Sequence, residues 1–273
     1  MQLVQLQQAQ QKFKDMGIGL AAISYDSVAI LSEFAERQHI TYPLLADPQS
    51  EVIRAYRVLN AEAKGMTTGM ARPGFFYIDP TGKVKEKLFE EDYRERYTAN
   101  NLMLKLFPEL AEQVTSSVDA PHIGLTLQKS DPTAVPGSRV TLVAELTLGP
   151  QLHVYAPGVK GYIPIELKLD PAAEFKLDTA SYPQSKTLFL KAINESVPVF
   201  EGKFRISQDV TVNSQRDFSR SIGEGKTIAI KGELKYQACD AKICYVPATV
   251  PVSWEINVLP LDLQRSPEAI RHR

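Results

Sequence analysis

The chain has 273 residues, enough for two domains, and its apolar and charged fractions of 44% and 23% are those of an ordinary globular protein. Its 32 acidic and 31 basic residues nearly cancel, so nothing in the charge balance points to a nucleic acid or an anionic membrane as partner. No apolar run reaches the length of a membrane span, and residues 1–8 lack the basic and apolar regions of a signal peptide.

The first half of the sequence alternates between helix and strand patterns. Apolar side chains at helical spacing predict a first helix that Gly17 ends. The nearly continuous apolar run 18–24 then predicts a strand buried on both faces. Asp26 or Ser27 can cap a second helix, and Asp47–Pro48 can begin a third.

Two further strands and a closing helix complete this half. Residues 75–78 and 84–89 predict strands that a turn at residues 79–82 joins, and residues 91–106 predict the helix. Alternating strands and helices of this kind indicate an α/β layer fold with a mainly parallel sheet.

The order of these elements, together with the stretch ARPGFFYIDPTGKV at residues 71–84, resembles the redoxins. These are the peroxiredoxin-like (AhpC/TSA) branch of the thioredoxin fold, and the similarity covers roughly residues 3–110. The resemblance implies that Pro73 occupies the family's cis-proline position and that Arg72 matches the arginine that polarises a peroxide. The alternatives are that Pro73 only shapes a turn and that Arg72 is a solvated or ion-paired side chain.

A redoxin carries its reactive cysteine at the start of its first helix, directly after an interior strand. Neither that strand nor that cysteine is found in residues 1–112, the predicted redoxin-like domain. Peroxide reduction needs a thiolate nucleophile. We therefore expect this domain to be catalytically silent as written and less stable than a complete redoxin domain, through a fragmentary gene or a genuine truncation.

The pattern of the second half of the sequence predicts a β domain. The polar residues 113–121 predict a linker that ends in proline. Short alternating strands separated by turn residues then predict an antiparallel β-sandwich over residues 122–260. We expect Trp254 to be a core anchor, and the polar tail, residues 261–273, to fray.

Both cysteines of the chain, Cys239 and Cys244, lie between two alternating runs that predict a β-hairpin. Across a hairpin their Cβ atoms can reach disulfide distance. So small a loop stabilises a fold by only about 2 kcal/mol, which suits a bond that is made and broken. A structural bridge, two reduced core cysteines and half of a metal site are the alternatives. The four histidines have no zinc-ligand spacing, and spacing alone does not separate redox exchange from a structural bridge.

The stretches GELKYQAC at residues 232–239, CYVP at 244–247 and TVPV at 249–252 resemble the end of the N-terminal domain of the thiol:disulfide interchange protein DsbD. The similarity covers about half of the chain, from near Pro121 to Val258. It implies an immunoglobulin-like sandwich in which Cys239 and Cys244 cycle between dithiol and disulfide without a cofactor. It also implies thioredoxin-fold partners outside the cytoplasm, with the chain's own first domain as one candidate.

In that family, aromatic side chains and a cap loop shield the sulfur atoms until a partner arrives. Phe189, Tyr155 and His153 are of the matching type and place. Ordinary packing is the alternative for Phe189 and Tyr155, and a partly exposed strand position is the alternative for His153. Lys235 and Lys242 would favour a thiolate, whereas Asp240 would oppose it.

Three functional hypotheses follow. The first is a thiol–disulfide oxidoreductase that relays electrons between the Cys239/Cys244 pair and a redoxin-type partner. The second is a peroxiredoxin-like antioxidant activity, which full-length relatives would carry in the redoxin half. The third is a non-enzymatic sandwich that serves protein interaction and holds a structural disulfide. Reduction potential separates the first from the third, because structural bridges resist glutathione-like potentials.

Overall fold

The computed structural model describes residues 2–108, 114–190 and 194–271. They form two compact units, Met1–Leu102 together with Leu261–Arg273, and Met103–Pro260. In the described ranges, no helix is both long and apolar enough to cross a membrane.

Helices and strands alternate through residues 2–106, and the last helix of this stretch runs across the boundary between the two units. The elements in chain order are α1 (Gln2–Asp15), β1 (Ala22–Ser24), α2 (Val28–Gln38), β2 (Leu44–Ala46), α3 (Glu51–Ala55), β3 (Gly74–Ile78), β4 (Val84–Phe89), β5 (Arg96–Tyr97) and α4 (Ala99–Leu106), with single 3-10 turns at Gly65–Thr67 and Glu268–Ile270.

Ser27 caps α2 as predicted, whereas α3 begins at Glu51 rather than directly after Asp47–Pro48. The Ser27 hydroxyl accepts a hydrogen bond from the Ile30 N–H at 3.4 Å, which caps α2. The Asp47 carboxylate accepts hydrogen bonds from the Glu51 and Ile53 N–H groups, each at 2.9 Å. These bonds satisfy donors that the first turn of a helix leaves without partners.

The strands of this unit differ from the prediction of one mainly parallel sheet. Strand β1 pairs in parallel with β2, while β3 and β4 form a separate antiparallel hairpin. The predicted strand 18–24 is reduced to Ala22–Ser24, and Ile23 is 42% exposed rather than buried. In the part of the chain that the structure describes, β2 is the sole strand paired with β1. The other edge of β1 is therefore uncovered by a strand.

The closing helix is shorter than predicted. It begins at Ala99 rather than near residue 91, because the Thr98 hydroxyl caps it by accepting a hydrogen bond from the Asn101 N–H at 3.0 Å.

The sequence predicts a frayed tail, but Asp262 and Ser266 of that tail contact α2. Gln38 donates to the Asp262 carboxylate at 3.2 Å, Arg37 pairs with the same carboxylate at 3.5 Å, and the Ser266 hydroxyl donates to Glu33 at 2.9 Å.

The second unit consists mainly of strands. They are β6 (Val114–Val118), β7 (Ile123–Lys129), β8 (Thr133–Ala134), β9 (Ser138–Leu148), β10 (His153–Tyr155), β11 (Glu166–Leu169), β12 (Phe175–Leu177), β13 (Lys186–Leu190), β14 (Glu195–Glu201), β15 (Lys203–Val212), β16 (Lys226–Tyr236), β17 (Ala238–Cys239) and β18 (Ala248–Val258), with one short helix, α5 (Arg216–Ser221).

Hydrogen bonding arranges these strands in three sheets. Their orders are β12-β15-β9-β7-β6, β11-β16-β18-β8 and β13-β14-β10-β17. The pairs are antiparallel except for β18 with β8. Strand β6 lies inside the segment predicted as a linker and pairs along its whole length with β7, so residues 114–118 belong to the sheet.

The longest strand pair, β16 with β18, fixes the sandwich core. Alternate residues of both strands are buried, which confirms the predicted parity. Trp254 is a core residue as expected, and its indole N–H donates to the Gln128 carbonyl at 2.9 Å. Gly232 lies opposite Leu169 of the neighbouring strand β11, and a Cβ at Gly232 would lie 2.4 Å from the Lys168 carbonyl oxygen and 2.8 Å from the Leu169 Cα.

We predict that Gly232→Ala destabilises the protein by about 1–3 kcal/mol, the usual cost of overpacking a well-packed core. The added methyl group would collide with backbone atoms, which cannot rotate away. Gly124→Ala is the matched control, because its Cβ would meet its nearest atom at 3.5 Å, an ordinary contact. Urea unfolding of both variants measures the effect, and equal stability of the two would contradict it.

Candidate functional site

The two cysteines are joined in a disulfide, with an S–S distance of 2.04 Å. Pairing of β16 with β18 ends at Tyr236 opposite Ala248, so residues 237–247 form the end of the hairpin. Cys239 and Cys244 face each other there as an antiparallel bridge. The predicted pairing across the hairpin is confirmed.

A turn centred on Asp240 holds the two cysteines opposite each other. The Asp240 carboxylate accepts hydrogen bonds from the N–H groups of Lys242 and Ile243 at 2.7 and 2.9 Å. The Asp240 N–H donates to the Ile243 carbonyl at 2.9 Å. These hydrogen bonds from backbone N–H groups lower the pKa of Asp240, and the bond from Ile243 has the largest effect. The negative charge of Asp240 is therefore stabilised by hydrogen bonds inside the turn.

The two sulfur-bearing residues differ sharply in exposure. Cys239 is 1% exposed and packs with Tyr155, Val197 and Val199. Cys244 is exposed. Its neighbour Ile243 is 55% exposed. An incoming thiolate can therefore approach Cys244, whereas Cys239 is covered.

Of the predicted shielding residues, Tyr155 is the one with a polar contact to the exposed cysteine among the described residues. Its hydroxyl oxygen is 3.9 Å from the Cys244 Sγ, so the hydroxyl can donate a weak hydrogen bond to that disulfide sulfur, which carries no hydrogen of its own. The Tyr155 ring stacks on that of Tyr162, with centroids 4.3 Å apart. Burial, and then the charge of Glu195, raise the pKa of Tyr155, so its hydroxyl keeps its proton near neutral pH.

His153 lies directly opposite Cys239 in the pairing of β10 with β17. It is buried, not partly exposed as the alternative interpretation has it. Burial lowers the pKa of His153, and the charges of Glu201 and Asp240 oppose that shift. The imidazole is therefore mainly neutral near pH 7. In the described residues its Nε2 atom has no hydrogen-bond partner.

Strand β13 covers this cluster through residues that the sequence analysis missed. Leu188 and Leu190 pack against the side chains around Cys239. Phe189 points to the other face of the strand and is 51% exposed. Strict alternation along residues 186–190 could have identified Leu188 and Leu190. Tyr162, also missed, donates from its hydroxyl to Glu195 at 2.7 Å.

A ring stack and two hydrogen bonds stabilise the end of the hairpin that carries the cysteines. The Tyr245 ring stacks on His122 with centroids 4.0 Å apart, and the Gln237 side chain donates to the Tyr245 carbonyl at 2.9 Å. The Tyr236 hydroxyl donates to the Pro121 carbonyl at 2.7 Å. Residues 121–122, placed in the linker and at the start of the sandwich by sequence, thus support the cysteine hairpin.

The redoxin-type positions lie in the first unit, on the segment before β3. No cis peptide bond occurs in the described ranges, so the bond preceding Pro73 is trans, unlike the cis-proline of the redoxin family. The Pro73 carbonyl accepts a hydrogen bond from the Glu90 N–H at 2.8 Å. Arg72 is exposed.

Metal binding was one alternative for the cysteine pair. Both cysteines are used in the disulfide and neither is free. Across residues 2–108, 114–190 and 194–271, no three His, Cys, Asp or Glu side chains are grouped so as to hold a metal ion.

Comparison with protein families bears out both resemblances. Residues 1–87 match the AhpC/TSA family, and residues 125–253 match the family described as thiol:disulfide interchange protein DsbD, N-terminal. The fold class is therefore a thioredoxin-like α/β unit followed by an immunoglobulin-like β-sandwich, as predicted. No curated protein matches the chain significantly.

Two solved structures align with this chain at low identity. The N-terminal periplasmic domain of ScsB from Proteus mirabilis aligns at 13% identity over 54% of this chain, with a TM-score of 0.34. The chain spans about half, 52%, of that ScsB chain. The N-terminal domain of DsbD from Neisseria meningitidis, in its reduced form, aligns at 15% identity over 56% of this chain and 91% of that one, with a TM-score of 0.28.

The difference in exposure predicts unequal reactivity of the two reduced cysteines. After reduction, we expect iodoacetamide to alkylate Cys244 at least about tenfold faster than Cys239, because alkylation follows access to the thiolate. Mass spectrometry of quenched peptides measures both rates in the same sample. Equal rates, or faster labelling of Cys239, would contradict the arrangement. Labelling of the urea-unfolded chain is the control, in which the two rates should converge.

Proposed function

We propose that this chain is a thiol–disulfide oxidoreductase that exchanges electrons with partner proteins through Cys239 and Cys244. The observation that carries the proposal is the pairing of an exposed cysteine with a buried one in a short hairpin loop. One sulfur can be reached by a partner, and the other is held in place to complete the exchange.

The forward reaction starts from the dithiol. The Cys244 thiolate attacks one sulfur of a partner disulfide, which forms a mixed disulfide and releases a partner thiolate. The Cys239 thiolate then attacks the Cys244 Sγ, which restores the Cys239–Cys244 disulfide and releases the second partner thiolate. Two electrons pass to the partner, and the chain is oxidised. The reverse sequence loads the chain with electrons from a reduced donor.

Neighbouring groups support this chemistry at Cys244. The protonated Tyr155 hydroxyl, 3.9 Å from the sulfur, can donate a hydrogen bond to a thiolate there. The Asp240 carboxylate is occupied by two backbone N–H groups, which lessens its opposition to a thiolate. His153 is mainly neutral, so it adds no positive charge beside Cys239. In this proposal Tyr155 positions the Cys244 sulfur, and His153 only packs beside Cys239.

In this proposal the neighbours of Phe189, and not Phe189 itself, shield the Cys239 sulfur. Leu188 and Leu190 face the cluster around Cys239, and Tyr162 fixes the adjoining strand through Glu195. These contacts cover Cys239 and leave Cys244 accessible, so a partner need not displace them to begin the exchange.

The match to the DsbD N-terminal family supports a proposal for the partner class and for the compartment. The DsbD N-terminal family exchanges with thioredoxin-fold redox proteins, and a thioredoxin-fold protein is the partner that we propose for this chain. The chain's own AhpC/TSA-like unit contains no cysteine, so the partner must contribute its own thiols. A disulfide persists in oxidising compartments, and we propose an extracytoplasmic location.

A trapping experiment tests the proposal. The Cys239→Ser variant cannot complete the second step, so it should accumulate a mixed disulfide through Cys244. The probe is a thioredoxin that retains only its exposed cysteine, activated as a mixed disulfide with thionitrobenzoate. Non-reducing gel electrophoresis should show a one-to-one complex that dithiothreitol releases.

The Cys244→Ser variant is the matched control, and its buried Cys239 should form the complex at least about tenfold more slowly. The reduced wild-type chain should instead convert oxidised thioredoxin to its dithiol and regain its own disulfide. Absence of the complex, or equal complex formation by the two variants, would refute the proposed exchange.

A further inference from the structure

A concavity of about 250 Å³ lies in the first unit, whose sequence contains no cysteine. It is formed by the segment after α3, by the residue before Pro73 and by the hairpin of β3 and β4. Three aromatic rings and three cationic side chains line it: Tyr56, Phe76, Phe89, Arg57, Arg72 and Lys87. The redox function proposed above uses none of them.

The three rings form a continuous row. Phe76 makes edge-to-face contacts with Tyr56 on one side and Phe89 on the other, with centroids 5.3 and 5.0 Å apart. Gly74 permits this arrangement, since a Cβ at that position would lie 2.3 Å from the Phe89 ring. Tyr56 remains 50% exposed. The row therefore presents aromatic surface to solvent instead of burying it in a core.

The cations surround this row. The Lys87 ammonium lies 5.8 Å from the centroid of the Phe76 ring. The backbone N–H of Arg72 donates to the Val58 carbonyl at 2.7 Å, which holds the segments that carry Arg57 and Arg72 side by side. Arg57 has a φ of 59°, a left-handed conformation that is uncommon for a residue with a side chain. Strained backbone of this kind occurs more often at functional sites.

No acidic side chain lines the concavity, and none of its three cations takes part in an ion pair with a described residue. This is unexpected in a chain whose acidic and basic residues nearly cancel. Like charges placed together without counter-charges destabilise a fold. Departures of this kind from local rules are expected where a site binds a ligand.

We propose that this concavity binds a small organic phosphate that carries a planar ring, such as a mononucleotide. Arginine pairs with phosphate oxygens through two parallel hydrogen bonds, and lysine adds a point charge. The exposed aromatic row offers a stacking surface to the ring of the ligand. Sites for drug-sized ligands begin at about 300 Å³, so this smaller volume suits one ring system and one phosphate group.

Binding of adenosine monophosphate to the full-length chain tests the proposal. Isothermal titration at low salt should detect AMP, while adenosine and inorganic phosphate, each with half of the recognised features, should bind at least about tenfold more weakly. The variant Arg57→Gln/Arg72→Gln/Lys87→Gln should lose at least about tenfold in AMP affinity, because it removes the three cationic side chains that line the concavity.

The matched control is Lys14→Gln/Lys64→Gln/Lys83→Gln, which removes three exposed cations of the same unit outside the concavity and should keep AMP affinity within about twofold. No AMP binding to the wild type, inorganic phosphate binding as tightly as AMP, or equal losses in both triple variants would overturn the proposal. Because the first unit has no cysteine, such a failure would leave the disulfide-exchange proposal intact.

Discussion

The pairing of β16 with β18 is the constraint on which the redox site depends. The two strands stay in register from Lys226 opposite Val258 to Tyr236 opposite Ala248, with one face of each buried in the sandwich core. A slip of one residue would turn every buried side chain of a strand to solvent. The register is therefore fixed by the whole core, and it places both cysteines at the loop end of the hairpin.

That long-range constraint acts together with a local one. The Asp240 turn closes the loop through two hydrogen bonds from backbone N–H groups to one carboxylate. Within this short loop, Cys239 extends the sheet beside His153, while Cys244 lies beyond the last strand pair. The same hairpin thus holds Cys239 in the packed interior and presents Cys244 at the surface, and the rate of disulfide exchange depends on such access to the attacked sulfur.

The sequence predicts best what depends on strand alternation. The buried parity of the two long strands, the core position of Trp254 and the pairing of the cysteines all follow from period-2 patterns. It predicts poorly what depends on partners distant in sequence. Residues 114–118 are polar enough to read as a linker, yet they form a strand because the edge of β7 is available. The aromatic ring of Phe189 predicts a shielding role, but Leu188 and Leu190 occupy the face of the strand that packs on Cys239.

The central claim is that the bond between Cys239 and Cys244 is exchangeable, and its reduction potential tests this most directly. Equilibration of the full-length chain with graded mixtures of reduced and oxidised glutathione, followed by acid quenching and mass spectrometry, gives the fraction reduced at each potential. The account predicts a midpoint above about −300 mV, where partner proteins can reduce the bond. A bond that stays oxidised in buffers more negative than about −300 mV would be a structural disulfide and would contradict the account.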